Sequence, residues 1–296
     1  MKTTILIAVI ILLTGFILRK DIVTIIDGTD TNGIEEKKGK KDEGHKYSQA
    51  LSEDISIVQK WDLPEELLEV SAIAYFDKDR FACVQDEKGT IFIFNKTSGN
   101  IEKEISFSGA GDFEGIGLNG STAYIVRSDA TIYEVDMNTG KSTEYKTFLS
   151  VKNDVESLCY DAKNNRLLIA GKAPDAAFAG FKCIYAFDLS TKTLLKEPVF
   201  KLNLENALLS NGKSKKNKRF SAAAIGINPV TNDMYLTDAT TSKLLVTDLS
   251  GNIKKLYELG RDFAQPEGIT FSPQGTLYIS NEGRKIPGNI MQVQIK

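Results

Sequence analysis

The chain has very little histidine. Among its 296 residues there is one, His45, and it lies in a stretch rich in Lys, Glu and Gly. A metal site built on two histidines is therefore excluded, and a Ser-His-Asp triad would have to recruit this single side chain. That one count removes much of the common chemistry of hydrolases and metalloenzymes.

The chain also has few cysteines and a small net charge. The three cysteines, Cys83, Cys159 and Cys183, share no C-x-x-C spacing, and each lies in an apolar run. This pattern predicts buried thiols, and neither a zinc knuckle nor a disulfide framework. The formal net charge is -2, from 37 Lys+Arg against 39 Asp+Glu. Because such a balance gives no overall field that attracts phosphates, we expect no binding of nucleic acid.

The first twenty residues have the composition of a targeting segment. Residues 5–18 are uncharged and are followed directly by Arg19 and Lys20. As a helix they would span about 21 Å, short of the ~30 Å hydrocarbon core, and they contain no A-x-A cleavage pattern. We predict that residues 1–20 are a signal peptide or a membrane anchor helix, which places the protein at the cell membrane or in the periplasm and makes the membrane its first partner. The flanking charges do not fix the orientation.

Residues 21–54 are predicted to be a flexible linker. Their centre, residues 35–44, reads EEKKGKKDEG, which has too little apolar surface to order itself. His45 falls in this linker. The folded part that follows is therefore expected to contain no histidine.

From residue 55 onwards one pattern of short strands and turns recurs five times. Each unit has up to four apolar or alternating runs separated by Asp, Asn, Gly and Lys, which is typical of an all-β chain. Four strands in a repeat of about 40–45 residues predict the blade of a β-propeller. We therefore predict five blades of four antiparallel strands over residues 55–296, with six blades as the minor alternative. The equivalent position in the five units is held by Ser71, Glu114, Glu156, Ala223 and Glu267.

The ends of the chain support a closed ring. The fifth unit supplies only three strands, the last at residues 291–295, so its outer strand is missing. Residues 55–61, ISIVQKW, precede the first unit and have the pattern of a strand. If they complete the fifth blade, no blade edge inside the ring is left unpaired. The longest gap between units carries an insertion with a basic cluster, expected to be a solvated loop or a site for an anionic partner: Lys213, Lys215, Lys216, Lys218 and Arg219.

Several motifs in this order resemble one bacterial family. They read EVSAIAY at 69–75, GDFEGI at 111–116, DVESL at 154–158, QPEGIT at 265–270 and GTLYISNE at 275–282. Over residues 55–296 the chain resembles the SdiA-regulated (YjiK-type) β-propeller family, which is distantly related to NHL-repeat proteins. The resemblance implies a five-bladed propeller behind a membrane-targeting segment, a calcium site, a link to calcium homeostasis and no established catalytic activity. The fourth unit departs from the pattern, with SAAAI at 221–225.

Three glutamates hold the same position in their units: Glu114, Glu156 and Glu267. In a propeller these side chains would converge at the mouth of the central channel, where their charges repel unless a proton or a cation neutralises them. An all-oxygen site favours a hard cation, Ca²⁺ before Mg²⁺. In the alternative interpretation the glutamates accept backbone N–H bonds and lock neighbouring blades together. Further candidate ligands lie two residues before the equivalent positions: Glu69, Asp112 and Asp154.

A second set of polar residues follows the second strand of each unit. These side chains could line a pocket for a protein or small-molecule ligand on one face of the ring, and salt bridges between blades explain them equally well. The set comprises Asp86, Arg127, Lys172, Asp238, Asn281 and Glu282.

Two functions remain open at this point. The first is a non-catalytic, calcium-binding propeller at the bacterial cell envelope, used in calcium homeostasis, sensing or scaffolding. The second is a calcium-dependent hydrolase, resembling phytase-like phosphoesterases or lactonases, in which Ca²⁺ polarises an oxygen and Lys172 or Arg127 stabilises charge. The sequence favours the first, since no nucleophile and base are found together.

Overall fold

The computed structural model describes residues 50–173, 175–209 and 220–296. The predicted signal or anchor segment, the linker up to residue 49 and the basic cluster of residues 213–219 lie outside these ranges. No helix in the described ranges is long and apolar enough to cross a membrane. The chain makes contact with the ring before residue 55, because the Ser52 backbone N–H donates to the Glu258 carbonyl oxygen at 2.9 Å.

The described residues form five antiparallel sheets, one for each predicted blade, so the five-bladed propeller is confirmed. In chain order from the channel outwards, blade 1 contains β2 (Val70–Tyr75), β3 (Arg80–Gln85), β4 (Lys88–Asn95) and β5 (Asn100–Ala110). Blade 2 contains β6 (Phe113–Asn119), β7 (Thr122–Arg127), β8 (Ile132–Asp136) and β9 (Ser142–Tyr145). Blade 4 contains β15 (Ala222–Ile227), β16 (Met234–Asp238), β17 (Lys243–Thr247) and β18 (Ile253–Glu258).

Blade 3 has an outer strand in two pieces. It contains β10 (Val155–Asp161), β11 (Arg166–Gly171) and β12 (Phe181–Asp188), followed by β13 (Thr193–Leu194) and β14 (Phe200–Asn203). Both outer pieces pair with β12. The break between β13 and β14 lies within the longest spacing between equivalent positions, just before the insertion in the sequence.

The ring closes through the first strand of the propeller, as the sequence predicts. Blade 5 contains β19 (Pro266–Phe271), β20 (Leu277–Asn281) and β21 (Asn289–Ile295), and its outer strand is β1 (Ile55–Asp62). The antiparallel register of β1 against β21 runs from Ile55 opposite Ile295 to Asp62 opposite Asn289. A short 3-10 helix, Glu65–Leu67, then leads into blade 1.

The apolar residues pack between neighbouring blades. The five inner strands contact one another in the order β2, β6, β10, β15, β19 and back to β2, which encloses the channel. Because side chains alternate along a strand, each blade presents apolar residues to both of its neighbours. One core cluster fills each junction between blades, as Phe113 and Tyr133 do between blades 1 and 2. The three cysteines are buried and free, as predicted.

Candidate functional site

A β-bulge lies at the same position in every inner strand. In blade 1 the pairing passes from Val70–Gln85 to Ala72–Val84, which leaves Ser71 as the extra residue. Bulges re-aim side chains and bend the strand that contains them. The extra residues in the other four blades are Glu114, Glu156, Ala223 and Glu267, which are the equivalent positions of the sequence repeat.

The structure brings the three glutamates together around one small cavity. All five inner strands line this cavity, and Glu114, Glu156 and Glu267 are its only charged lining residues. It encloses about 10 Å³, which is enough for about one water-sized sphere. We call this place the channel mouth. The bulges, which the sequence pattern does not reveal, explain why residues in one register of the repeat meet there.

Glu156 is the most tightly held acid of the channel mouth. Its side chain is buried, and its Oε1 accepts a hydrogen bond from Lys172 Nζ at 2.7 Å. Its Oε2 is buried and has no hydrogen-bond partner among the described residues. Burial raises the pKa of Glu156 to about 7, outweighing the lowering effect of Lys172. Burial opposes protonation of Lys172, but Glu156, Glu267 and Asp154 raise its pKa overall.

The pKa of Glu114 is raised far above its ordinary value. Burial is the largest cause that raises its pKa to about 10, followed by a hydrogen bond with Asp112 and the charges of Glu156 and Glu267. Burial also raises the pKa of Glu267, against the lowering effect of Lys172. At the channel mouth, protonation of the glutamates and the ammonium group of Lys172 therefore both reduce the repulsion between the carboxylates.

A second acidic group lies beside the channel mouth, where blades 1 and 5 meet. Burial raises the pKa of Asp86 to about 6, and the charges of Glu69 and Glu282 raise it further. Asp86 Oδ1 is buried and has no hydrogen-bond partner among the described residues. Glu282 Oε2 accepts a hydrogen bond from Gln265 Nε2. The sequence analysis did not predict Gln265 as a site residue. It lies two residues before Glu267, as Asp112 and Asp154 lie two residues before Glu114 and Glu156.

Two residues of the second polar set, Arg127 and Asn281, bond within their own blades. Arg127 pairs with Asp129 at 2.7 Å and donates to the Tyr133 hydroxyl at 2.9 Å, and it forms no salt bridge to another blade among the described residues. Asn281 Nδ2 donates to Asn289 Oδ1 at 3.0 Å.

The Asp238 side chain accepts hydrogen bonds from backbone N–H groups of its own blade. Its two carboxylate oxygens accept N–H bonds from Ser221, Thr240 and Thr241 at 2.9–3.1 Å. The side chain is fully buried, and burial raises its pKa. Asp238 therefore holds the loops at this edge of blade 4, and no ionised partner is needed for that role.

Lys182 supports the segment that carries Lys172. The sequence pattern alone did not single out Lys182. Its Nζ donates to the carbonyl oxygens of Gly171, Lys172 and Ala173 at 2.7, 2.8 and 3.2 Å. Burial lowers the pKa of this lysine to about 8. Its position within the apolar run of β12 could have indicated its role, because a buried lysine needs hydrogen-bond acceptors around its ammonium group.

The oxygen ligands at the channel mouth are of the type that a hard cation prefers, but their present arrangement suits such an ion less well. Carboxylate oxygens dominate, and Glu156 Oε2 is a buried acceptor with no partner in the part of the chain that the structure describes. Within the described ranges, however, no three His, Cys, Asp or Glu side chains are gathered closely enough to hold a metal ion. A bound ion would have to draw the glutamates inwards and compete with Lys172 for Glu156.

A five-bladed β-propeller with an acidic channel mouth is the class that fold and site define. The family model described as SdiA-regulated matches residues 56–285, and the chain belongs to that family. No curated protein sequence matches the chain.

Two solved structures resemble the chain to different degrees. A glutaminyl cyclase from Myxococcus xanthus is 11% identical with a TM-score of 0.56, and the match covers 82% of this chain and 97% of the cyclase chain. Hydrazine synthase from Kuenenia stuttgartiensis is 9% identical with a TM-score of 0.45, over 74% of this chain and 56% of that chain. At 11% identity the likeness to the cyclase extends to the fold alone, and the match to hydrazine synthase carries no argument.

Proposed function

We propose that the protein is a non-catalytic calcium-binding propeller of the bacterial cell envelope, which acts in calcium homeostasis, sensing or scaffolding. The observation that carries this proposal is the set of three glutamates at equivalent bulges around one cavity, with a buried Glu156 oxygen that has no partner among the described residues. The N-terminal sequence supports the envelope location, and membership of the SdiA-regulated family supports a bacterial role.

Electrostatics supports a cation at this place. Three carboxylates in a partly desolvated cavity repel one another, and only protons, Lys172 or a bound cation relieve that repulsion. A divalent ion would replace the proton of Glu114 and draw Glu156 Oε2 into its coordination sphere. Calcium is preferred to magnesium, because it accepts six to eight oxygen ligands in irregular geometry. Asp112 and Asp154 lie close enough to affect the electrostatics of these glutamates and are the next candidate ligands.

Calorimetric titration of the chelator-treated full-length chain with CaCl₂ tests the proposal. We expect binding of one ion that weakens at least a hundredfold in a Glu114→Gln/Glu156→Gln double variant, while Glu104→Gln, an exposed glutamate of β5, has no effect. Repeating the titration in buffers of different ionisation enthalpy should show release of about one proton per ion, since Glu114 enters binding protonated. Equal affinity in the double variant would contradict the proposal.

The calcium-dependent hydrolase is the second candidate. One observation favours it: Lys172 Nζ lies at the channel mouth, 2.7 Å from Glu156 Oε1, where an ammonium group could stabilise charge on a substrate oxygen. Turnover of p-nitrophenyl phosphate or a γ-lactone that depends on Ca²⁺ and is lost in Lys172→Met would establish this candidate. Absence of turnover in protein that binds Ca²⁺ would leave the non-catalytic function.

A further inference from the structure

A second cavity opens at the opposite edge of the ring from the channel mouth. It encloses about 390 Å³ between blades 4 and 5 and is lined by the ends of β19 and β21 and by the turn before β20. The bulge of β19 lies at Glu267, whereas the cavity begins at Phe271. The lining of the channel mouth ends on β19 at Ile269, and the two cavities share no lining residue, so they are distinct.

Among the residues that the structure describes, none that lines this cavity is acidic or basic. In a chain with 26% charged residues, a lining of twelve residues would on average include about three. A charged ligand would be desolvated there without a counter-ion, which is costly. The lining therefore selects a neutral ligand.

The lining is amphipathic. Tyr235 and Phe271 form an aromatic wall, with ring centroids 5.0 Å apart and planes at 68°. Asn228, which also lines the cavity, is fixed by its own loop, because its Oδ1 accepts the backbone N–H groups of Val230 and Thr231 at 2.9 and 3.2 Å.

Three glutamine side chains provide the polar part of the lining: Gln274, Gln292 and Gln294. None of their side-chain amides hydrogen-bonds to another described residue. Gln274 and Gln294 are exposed and Gln292 is half-buried, so water can pair with these amides until a ligand covers them. An apolar ligand would cost about 1–3 kcal/mol for each amide that it removes from water without a new partner. A ligand rich in hydroxyl groups would satisfy them, because each amide offers both a donor and an acceptor.

We propose that this cavity binds a neutral carbohydrate, one or two sugar rings in size. A sugar ring presents C–H groups that pack on an aromatic face and hydroxyls that pair with amide side chains. The volume lies near the lower end of the range for small-molecule sites, which suits a ligand of that size. The site does not depend on cation binding at the channel mouth.

Saturation-transfer NMR and calorimetry with the full-length chain test the proposal. The probes are methyl β-glucoside, methyl β-galactoside, N-acetylglucosamine and cellobiose, with glucuronate and glucosamine as charged counterparts and cyclohexanol as an apolar one. We expect at least one neutral sugar to bind, and its charged counterparts and cyclohexanol to bind at least tenfold more weakly.

Variants place the binding. Tyr235→Ala and Gln292→Leu should each weaken it at least tenfold, whereas Gln59→Leu, the residue opposite Gln292 on β1 but outside the cavity lining, should not. Unchanged thermal unfolding of Gln292→Leu shows that its loss of binding is local. The Glu114→Gln/Glu156→Gln variant should bind the sugar normally. No binding of any neutral probe, equal binding of charged sugars, or equal loss in Gln59→Leu would overturn the proposal.

Discussion

Lys172 and Glu156 form the one ion pair at the channel mouth among the described residues, with Nζ and Oε1 2.7 Å apart and the second carboxylate oxygen buried without a partner. The pair shows two opposing demands on the same carboxylate. Lys172 neutralises Glu156 through Oε1 when no ion is bound, and by the proposed function a cation that coordinates Oε2 would compete with the ammonium group for the charge of the same carboxylate. Lys172 therefore acts as a competitor that sets the threshold for cation binding.

The first prediction follows from this competition. Lys172→Met should increase the affinity for Ca²⁺ about tenfold, because the ion no longer displaces an ammonium group from Glu156. Without calcium the same variant should be about 1–3 kcal/mol less stable, since it leaves a buried carboxylate without its partner. Calorimetry and thermal unfolding with and without chelator measure both effects.

A matched control exists in another ion pair of the same length. Lys192 Nζ lies 2.7 Å from Glu134 Oε2, away from the residues that line the channel mouth. Lys192→Met should lower stability without changing the affinity for Ca²⁺. A calcium affinity in Lys172→Met that stays at the level of the unchanged protein would show that the lysine does not compete.

The second prediction concerns pH. The pKa of Glu114 is raised from 4.5 to about 10, and the pKa values of Glu156 and Asp86 are raised to about 7 and about 6. Between the unfolded and folded pKa values the native state holds protons that the unfolded chain has released, so rising pH favours unfolding. The contribution of these acids is fully present below about pH 4 and is lost as pH rises.

In chelator, the unfolding temperature should therefore fall by a few degrees between pH 5 and pH 8. Glu114→Gln should reduce this fall, because the amide resembles the protonated acid and does not titrate. Thermal unfolding of both proteins across the pH series is the measurement, with Glu104→Gln as the exposed control. A pH dependence in Glu114→Gln identical to that of the unchanged chain would refute the assignment.

Much of the fold could be predicted from the sequence because a propeller repeats one local pattern. The recurring turns and apolar runs indicated five blades, and the missing outer strand of the fifth unit indicated that residues 55–61 would complete it. These features depend on local chemistry and on the need to pair strand edges. They do not require knowledge of which side chains touch.

The candidate site could be predicted only in part. Equivalent positions in the repeat identified Glu114, Glu156 and Glu267, but the bulge that re-aims them depends on strand register, which the pattern does not specify. From the sequence, Lys172 and Arg127 are equivalent candidates. In the structure Lys172 bonds to Glu156 at the channel mouth, whereas Arg127 bonds to Asp129 in its own blade. Pairing of long side chains is decided by geometry within a few ångströms.

The third prediction separates a residue that holds the fold from one that binds a ligand. Asp238→Ala removes the acceptor of three backbone N–H groups in a fully buried place, so the free energy of unfolding should fall by about 2–4 kcal/mol. The affinity of the folded protein for Ca²⁺ should remain unchanged. Denaturant titration and calorimetry provide the two numbers, and a loss of calcium binding without a loss of stability would assign Asp238 to the ligand set instead.

The fourth prediction tests the close approach of inner strands that brings the glutamates together. A Cβ at Gly115, next to Glu114, would lie 2.6 Å from Leu158 N and 2.8 Å from Leu158 Cβ on the neighbouring blade. These are backbone and near-backbone atoms of a packed strand, so β6 and β10 would have to move apart. Gly115→Ala should therefore cost about 1–3 kcal/mol of stability and also weaken calcium binding, because it displaces Glu114 from Glu156. Gly109→Ala is the matched control, since a Cβ there meets nothing within 4 Å. If Gly115→Ala lowered stability but left the affinity for Ca²⁺ intact, the cation would not depend on the spacing of these two strands.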